Sequence, residues 1–271
     1  SAVEAKYEET CRPWNAAAPL RTRESRMIGD ADAIRQSLAP SLLLARRNNE
    51  SVGNQTIELF ETARVYLAQP TGLPIEKLLM GFCSGGDYYA LKGVVETILA
   101  ELNPALSLTT KPTSLPLVDP VRSAELWLDD ERIGWIGEVA KPALTLYELR
   151  HKASVGEIIL DSLVNRAVLV PQAGALSNQP ASKRDLNFVV EEKVYWADLS
   201  AVVRAAAGPH LESLDYRETY RSEQLGPGNK SLLLTMTFRG KTHTLTSEEV
   251  EAATHSVVTS VKEKLGGTLR A

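Results

Sequence analysis

The chain has 271 residues, of which 44% are apolar and 24% charged, with a formal net charge of −4. This is an ordinary soluble composition that fills two modest cores; the net charge does not advertise nucleic-acid binding, the part from Ala181 on is near neutral so that any RNA contact must be local, and DNA is not an expected partner. Cys11 and Cys83 are too few for a disulfide framework or a cysteine-rich metal site, and no apolar run approaches the ~18 residues of a membrane span, so a reduced cytoplasmic setting without a membrane partner is expected.

The first thirty residues open at Ser1 without clear period, as expected for a piece of a longer polypeptide. Asp32 to Leu44 starts acidic and places Ile34, Leu38 and Leu42 about one face, which predicts a helix interrupted by Pro40. Arg46 and Arg47 follow, either as the solvated cationic end of that helix or as a phosphate-contacting pair. Ile57 to Leu67 is β-rich, with Glu58, Glu61 and Arg64 as its charges.

Asp87 to Leu102 reads as an amphipathic helix with Leu91, Val94, Val95, Ile98, Leu99 and Leu102 inward. Lys92 is a surface lysine on it, and Gly93 is expected to permit close packing. Residues 103–119 read as a connection. Ser123 to Leu128 and Arg132 to Val139 are strands about a D-D-E turn, with Trp127 and Trp135 as sheet core or subunit interface. Val155 to Leu160 is expected to close the first domain. Pro171 to Pro180 then reads as a linker, dividing the chain into domains 1–176 and 177–271. The chain contains no phosphate loop, no H-E-x-x-H and no close His/Cys cluster, so neither a catalytic nor a metal site is expected.

The second domain repeats strand and helix signals in a definite order. Leu186, Phe188 and Val190 alternate as a strand, and Ala197 to Ala207 is a helix stopped by Gly208-Pro209. Leu214, Tyr216, Glu218 and Tyr220 are expected together on one face of the next strand. After Gly226-Pro227-Gly228, Leu232, Leu234, Met236 and Phe238 form the core face of a further strand, opposite Ser231, Thr235, Thr237 and Arg239. Thr246 to Glu249 is a capping box opening a helix through Leu265, and a short strand near Thr268 to Arg270 ends the chain. The order β-α-β-β-α-β predicts a ferredoxin-like sheet with helices on one face and the other face open.

On such an open face, unstacked bases can lie on aromatic rings and be read at their edges. Tyr220 is then the best platform, and Glu218 can accept from the Watson–Crick edge of guanine. Asn187 and Ser231 face outward beside them. The plain alternative is that Tyr220 caps the sheet and Glu218 is a solvated charge. Arg184, Tyr216 and Arg221 are possible secondary RNA contacts and Lys183 and Lys230 possible phosphate contacts; Arg184 adjoins the pocket with Asp185, and the plain alternative for these two is an exposed local ion pair.

Several motifs carry a resemblance. P-A-S-K-R-D-L from Pro180, the strand ending at Tyr220, G-P-G-N-K-S from Gly226 and T-L-T-S-E-E-V from Thr244 resemble the anticodon-binding domain that ends the bacterial phenylalanyl-tRNA synthetase β-subunit family. Upstream, I-R-Q-S-L-A-P-S-L-L, I-E-L-F-E-T-A-R-V-Y-L, D-Y-Y-A-L-K-G, D-P-V-R-S-A and G-E-V-A-K-P are similar to segments of the same family. Ala90, Asp119, Val121 and Lys141 depart from its usual residues.

The resemblance implies an α+β chain: a noncatalytic class II synthetase-like antiparallel-sheet module followed by the ferredoxin-like domain. It implies Asn187, Glu218, Tyr220 and Ser231 as the pocket for the first anticodon base, with Asn187 and Glu218 departing from a small residue and from Asp. It also implies tRNA(Phe) and a catalytic α subunit as partners in a heterotetramer of two α and two β, with ATP and Mg²⁺ used by the parent complex and none by this chain. A ferredoxin-like module sensing a free amino acid is the alternative of a different class.

Overall fold

The computed structural model describes residues 2–8, 10–14, 18–21, 31–170 and 177–270. They form two compact units, 1–171 and 172–271. The expected boundary near residue 176 lies outside the described residues. Among the described residues no helix is long and apolar enough to cross a membrane.

The first unit contains β1 (Ala2–Glu4), α1 (Ala5–Glu8), β2 (Ala31–Ile34), α2 (Ala39–Ser51), β3 (Leu59–Leu67), β4 (Ile75–Ser84) and α3 (Tyr88–Leu102). There follow β5 (Leu108–Lys111), β6 (Val118–Leu128), β7 (Glu131–Val139), α4 (Lys141–Leu146), β8 (Ser154–Ile159) and α5 (Leu160–Val164). Strands β3 to β8 make one antiparallel sheet in the order β3-β4-β8-β7-β6-β5, while β1 and β2 pair separately. Every residue of β8 is buried because both sheet faces are covered. Leu38, Leu42 and Leu43 pack with Trp135 and Val155 in one cluster, and Leu91, Val95 and Leu99 pack with Ile136 and Ile158 in another.

Several expectations are corrected here. The helix expected from Asp32 begins at Ala39, because Pro40 suits the first turn, where its missing N–H needs no partner. Ile34 belongs instead to β2. Arg46 is neither solvated nor at a helix end: it is buried, paired with Glu50 at 3.0 Å, and donates to the carbonyls of Ile57 and Lys152. Residues 103–119 contain the edge strand β5, and β4 is a strand with no counterpart among the expected elements. The strand expected to close the first domain is present as β8, the last strand of this unit in chain order, and it lies between β4 and β7 in the sheet.

The carboxylate of Glu157 on β8 ties this unit together. It accepts from Trp14 Nε1 at 3.1 Å, from the Leu38 and Ala39 amides at 3.0 and 3.1 Å, and from Ser37 Oγ. It therefore caps the start of α2 from the sheet, a favourable place for an acceptor at a helix N-terminus. Cys11 touches Ser37 in the same cluster, and burial pushes both free thiols up, Cys83 to about 11, so they are poor nucleophiles.

The second unit contains β9 (Ala181–Glu191), α6 (Trp196–Ala207), β10 (Leu211–Tyr220), β11 (Asn229–Arg239), α7 (Ser247–Leu265) and β12 (Thr268–Leu269). The expected β-α-β-β-α-β order is present, with all pairs antiparallel in the order β10-β11-β9-β12. Thr246 and Glu249 form the expected capping box, with reciprocal bonds of 3.2 and 2.8 Å. Leu199 and Val203 of α6 and Val250, Val257 and Val261 of α7 share one core with Leu186, Phe188, Leu232, Leu234, Met236 and Phe238 of the sheet.

Candidate nucleic-acid interface

The strand alternation that buries Phe188, Leu232 and Leu234 under the helices sends Asn187, Ser231 and Leu233 to the opposite face. On β10 the alternation is broken. The register slips between Tyr216 and Glu218, so Leu214 and Tyr216 stand opposite Met236 and Leu234, whereas Glu218 and Tyr220 stand opposite Leu233 and Ser231. A β-bulge thus divides the four residues expected together: Leu214 and Tyr216 belong to the helix side, Glu218 and Tyr220 to the helix-free side. The Tyr216 ring meets Trp196 of α6 edge-on at 5.4 Å, as this placement requires.

On the helix-free face, Tyr220 and Ser231 form one cross-strand row, and Glu218, Leu233 and Asn187 form the next. The expected pocket residues Asn187, Glu218, Tyr220 and Ser231 are therefore neighbours. Glu218 is exposed and Tyr220 is 45% exposed, which leaves a ring surface available for stacking. Ser231 is only 1% exposed and donates to the Asn187 side-chain carbonyl. That bond fixes the amide and presents its NH₂ as a donor.

Arg270 was not foreseen. The Arg270 amide donates to the Asn187 carbonyl at 2.7 Å, extending the β12 pairing, and its guanidinium carbon lies 5.7 Å from the Tyr220 ring centroid. Since β12 and β10 are opposite edges of the sheet, the side chain reaches across β9 and β11. A lone arginine before a chain end has no local pattern to announce it, and only the strand order brings it to Tyr220.

The secondary candidates scatter. Lys183 is exposed on the same face, opposite Thr237 near the other end of the strands. Arg184 is opposite Met236 on the helix-side parity, donating to Ser182 Oγ and the Lys183 carbonyl, and Asp185 accepts from Thr235 rather than from Arg184. Lys230 is 7% exposed and donates to the Glu192 carbonyl at 2.7 Å. Arg221 forks onto the Glu192 carboxylate at 2.6 Å, and these two cations, Arg221 first, hold that carboxyl below its ordinary range.

In the first unit, the residues that depart from the resembling motifs serve local structure. Asp119 accepts from the Val121 amide at 2.8 Å, and Lys141 opens α4. Glu61 accepts from Arg35 at 2.7 Å, and Lys92 pairs with Glu96 one turn on.

Residues 25–160 match the family described as "Phenylalanyl tRNA synthetase beta chain CLM domain", and residues 177–270 match "Ferredoxin-fold anticodon binding domain". Among curated relatives, a "Phenylalanine--tRNA ligase beta subunit" of Rhodopirellula baltica is 36% identical over 99% of this chain and 41% of its own length. Proteins of the same description from Xylella fastidiosa and Clostridium tetani are 32% and 29% identical over 94% and 89% of this chain. The chain spans only 31–41% of the length of these three relatives.

Proposed function

The chain belongs to the phenylalanyl-tRNA synthetase β-chain family, and on that premise we propose that its second unit reads the anticodon of tRNA(Phe). Tyr220 stacks the first anticodon base, Glu218 accepts hydrogen bonds from its Watson–Crick edge, and the Asn187–Ser231 pair borders it. The observation that carries this is the placement of Asn187, Glu218, Tyr220 and Ser231 in adjacent rows of a helix-free sheet face. That face lies within the segment matching an anticodon-binding domain. Single-stranded bases are read in this way, by aromatic stacking and edge hydrogen bonds.

The first unit acts as a noncatalytic class II synthetase-like module supporting a catalytic α subunit in a cytoplasmic assembly of two α and two β. Its antiparallel sheet and family match support that role. Phenylalanine activation, with ATP and Mg²⁺, belongs to the α subunit. Among the described residues, no three His, Cys, Asp or Glu side chains are grouped to hold a metal ion.

Titration with an anticodon stem-loop of tRNA(Phe) tests the RNA reading. Saturable quenching of tyrosine fluorescence by the stem-loop, and none by free phenylalanine, is expected. A response to the free amino acid alone would instead identify a sensing module. Pyrophosphate exchange with ATP and phenylalanine should be absent from the isolated chain, and activity surviving rigorous removal of α subunit would overturn the noncatalytic assignment.

A further inference from the structure

The bulge that separates Tyr216 from Glu218 also leaves Arg217 at the helix-free face, directly before the base-reading carboxylate. Its Nε donates to Thr235 Oγ1 at 2.7 Å, and that hydroxyl donates to Asp185 Oδ1 at 2.6 Å. Thr235 and Asp185 are themselves paired across β11 and β9. A relay of three side chains thus spans three strands and holds the guanidinium in place.

The form of the relay matters. A direct Arg–Asp pair would neutralise the cation, whereas a hydroxyl between them orients Nε and leaves both terminal nitrogens of the fork unused. Among the described residues Arg217 makes no ion pair, and its side chain is solvent-exposed. Near the pocket, Arg221 and Lys230 are engaged by Glu192 and Arg270 by the Tyr220 ring; farther along the strands Arg239 is engaged by Glu212, while Lys183 is exposed on the same face one row beyond Thr235. Thr235 lies four residues along β11 from Ser231, roughly 13 Å from the Tyr220 row at the rise of a β-strand. That is within reach of nucleotides flanking a base stacked on Tyr220.

The geometry points to Arg217 as a phosphate contact for the RNA strand that leaves the base pocket, aimed by Thr235 and Asp185. This assignment rests on the proposal that Tyr220 and Glu218 form that pocket. It replaces Lys230, whose buried ammonium is committed to Glu192, as the cation that follows the backbone.

The 271-residue chain is titrated with the anticodon stem-loop of tRNA(Phe) across a salt series, as wild type, Arg217→Gln, Arg217→Lys and Tyr220→Ala. Removing one phosphate contact should lower the slope of log K against log salt by roughly 0.7 for single-stranded RNA. Arg217→Gln should show that reduction with about a tenfold loss of affinity at low salt. Arg217→Lys should recover the slope while binding more weakly than wild type, because a lysine keeps the charge and lacks the fork. An unchanged slope and affinity in folded Arg217→Gln overturns the assignment even where Tyr220→Ala weakens binding. Loss of effect in Tyr220→Ala, by contrast, removes the pocket itself, so the two failures are separable.

Discussion

Arg270 and Tyr220 meet across the width of the second unit's sheet, the guanidinium carbon 5.7 Å from the ring centroid. Arg270 follows β12 and Tyr220 ends β10, strands at opposite edges of the sheet, so the Arg270 side chain reaches across β9 and β11. A cation facing an exposed tyrosine is worth about 0.5–1 kcal/mol. Arg270→Met is therefore expected to lower folding stability by no more than about 1 kcal/mol while weakening stem-loop binding, since it removes a cation that faces the stacking platform. Urea denaturation and fluorescence titration of the same variant check the two parts separately.

Tyr216 provides the contrast. It packs against Trp196 on the helix side of the bulge, so Tyr216→Ala should lose packing energy, about 1–3 kcal/mol, and leave RNA affinity within about twofold. A large affinity loss at unchanged stability would place Tyr216 on the RNA face, against the register.

Gly93 lies inside α3, and a methyl group added there would meet nothing within 4 Å. The close packing expected of it is absent. With helix propensity as the remaining term, Gly93→Ala should stabilise the first unit by about 1 kcal/mol, seen as a raised urea midpoint.

Glu157 is wholly buried, and desolvation raises its carboxyl above the ordinary range, opposed by the bonds from Ser37, Ala39, Trp14 and Leu38. The folded state therefore holds this proton at pH values where the unfolded chain has released it. Stability from this group falls as pH rises from the ordinary carboxylate pKa, about 4.3, toward the raised folded value, then levels. Glu157→Gln should flatten that part of the profile. Glu157→Ala should destabilise by roughly 3 kcal/mol or more, because several buried donors lose their acceptor together. Urea midpoints across this pH range measure both.

Local signals read the second unit well because each element there carries its own. The core alternation of Leu232 to Phe238, the Gly208-Pro209 stop and the Thr246–Glu249 box are complete within a few residues. The bulge at Tyr216–Glu218 has no such mark. Its effect, reversing which side chains share a face, emerges only from pairing with β11, which is why Tyr216 was misplaced and Arg217 overlooked. In the first unit, Pro40 inside an apolar period reads locally as an interruption, whereas it sits in the first turn of a helix. Arg46, followed by another Arg and two Asn, looked solvated because its partners Ile57 and Lys152 are distant in sequence. The β4 strand went unseen beside its better-marked neighbours.

The most direct test is the affinity of Tyr220→Ala for the tRNA(Phe) anticodon stem-loop, beside wild type and Tyr220→Phe at matched salt. If the ring stacks a base, Tyr220→Ala should lose about 1–3 kcal/mol of binding, the range for base–aromatic stacking. Tyr220→Phe should bind nearly as wild type, and the salt slope should be the same in all three, because no phosphate contact is removed. A folded Tyr220→Ala that binds the stem-loop as tightly as wild type would contradict the account and leave Tyr220 as a sheet-end residue.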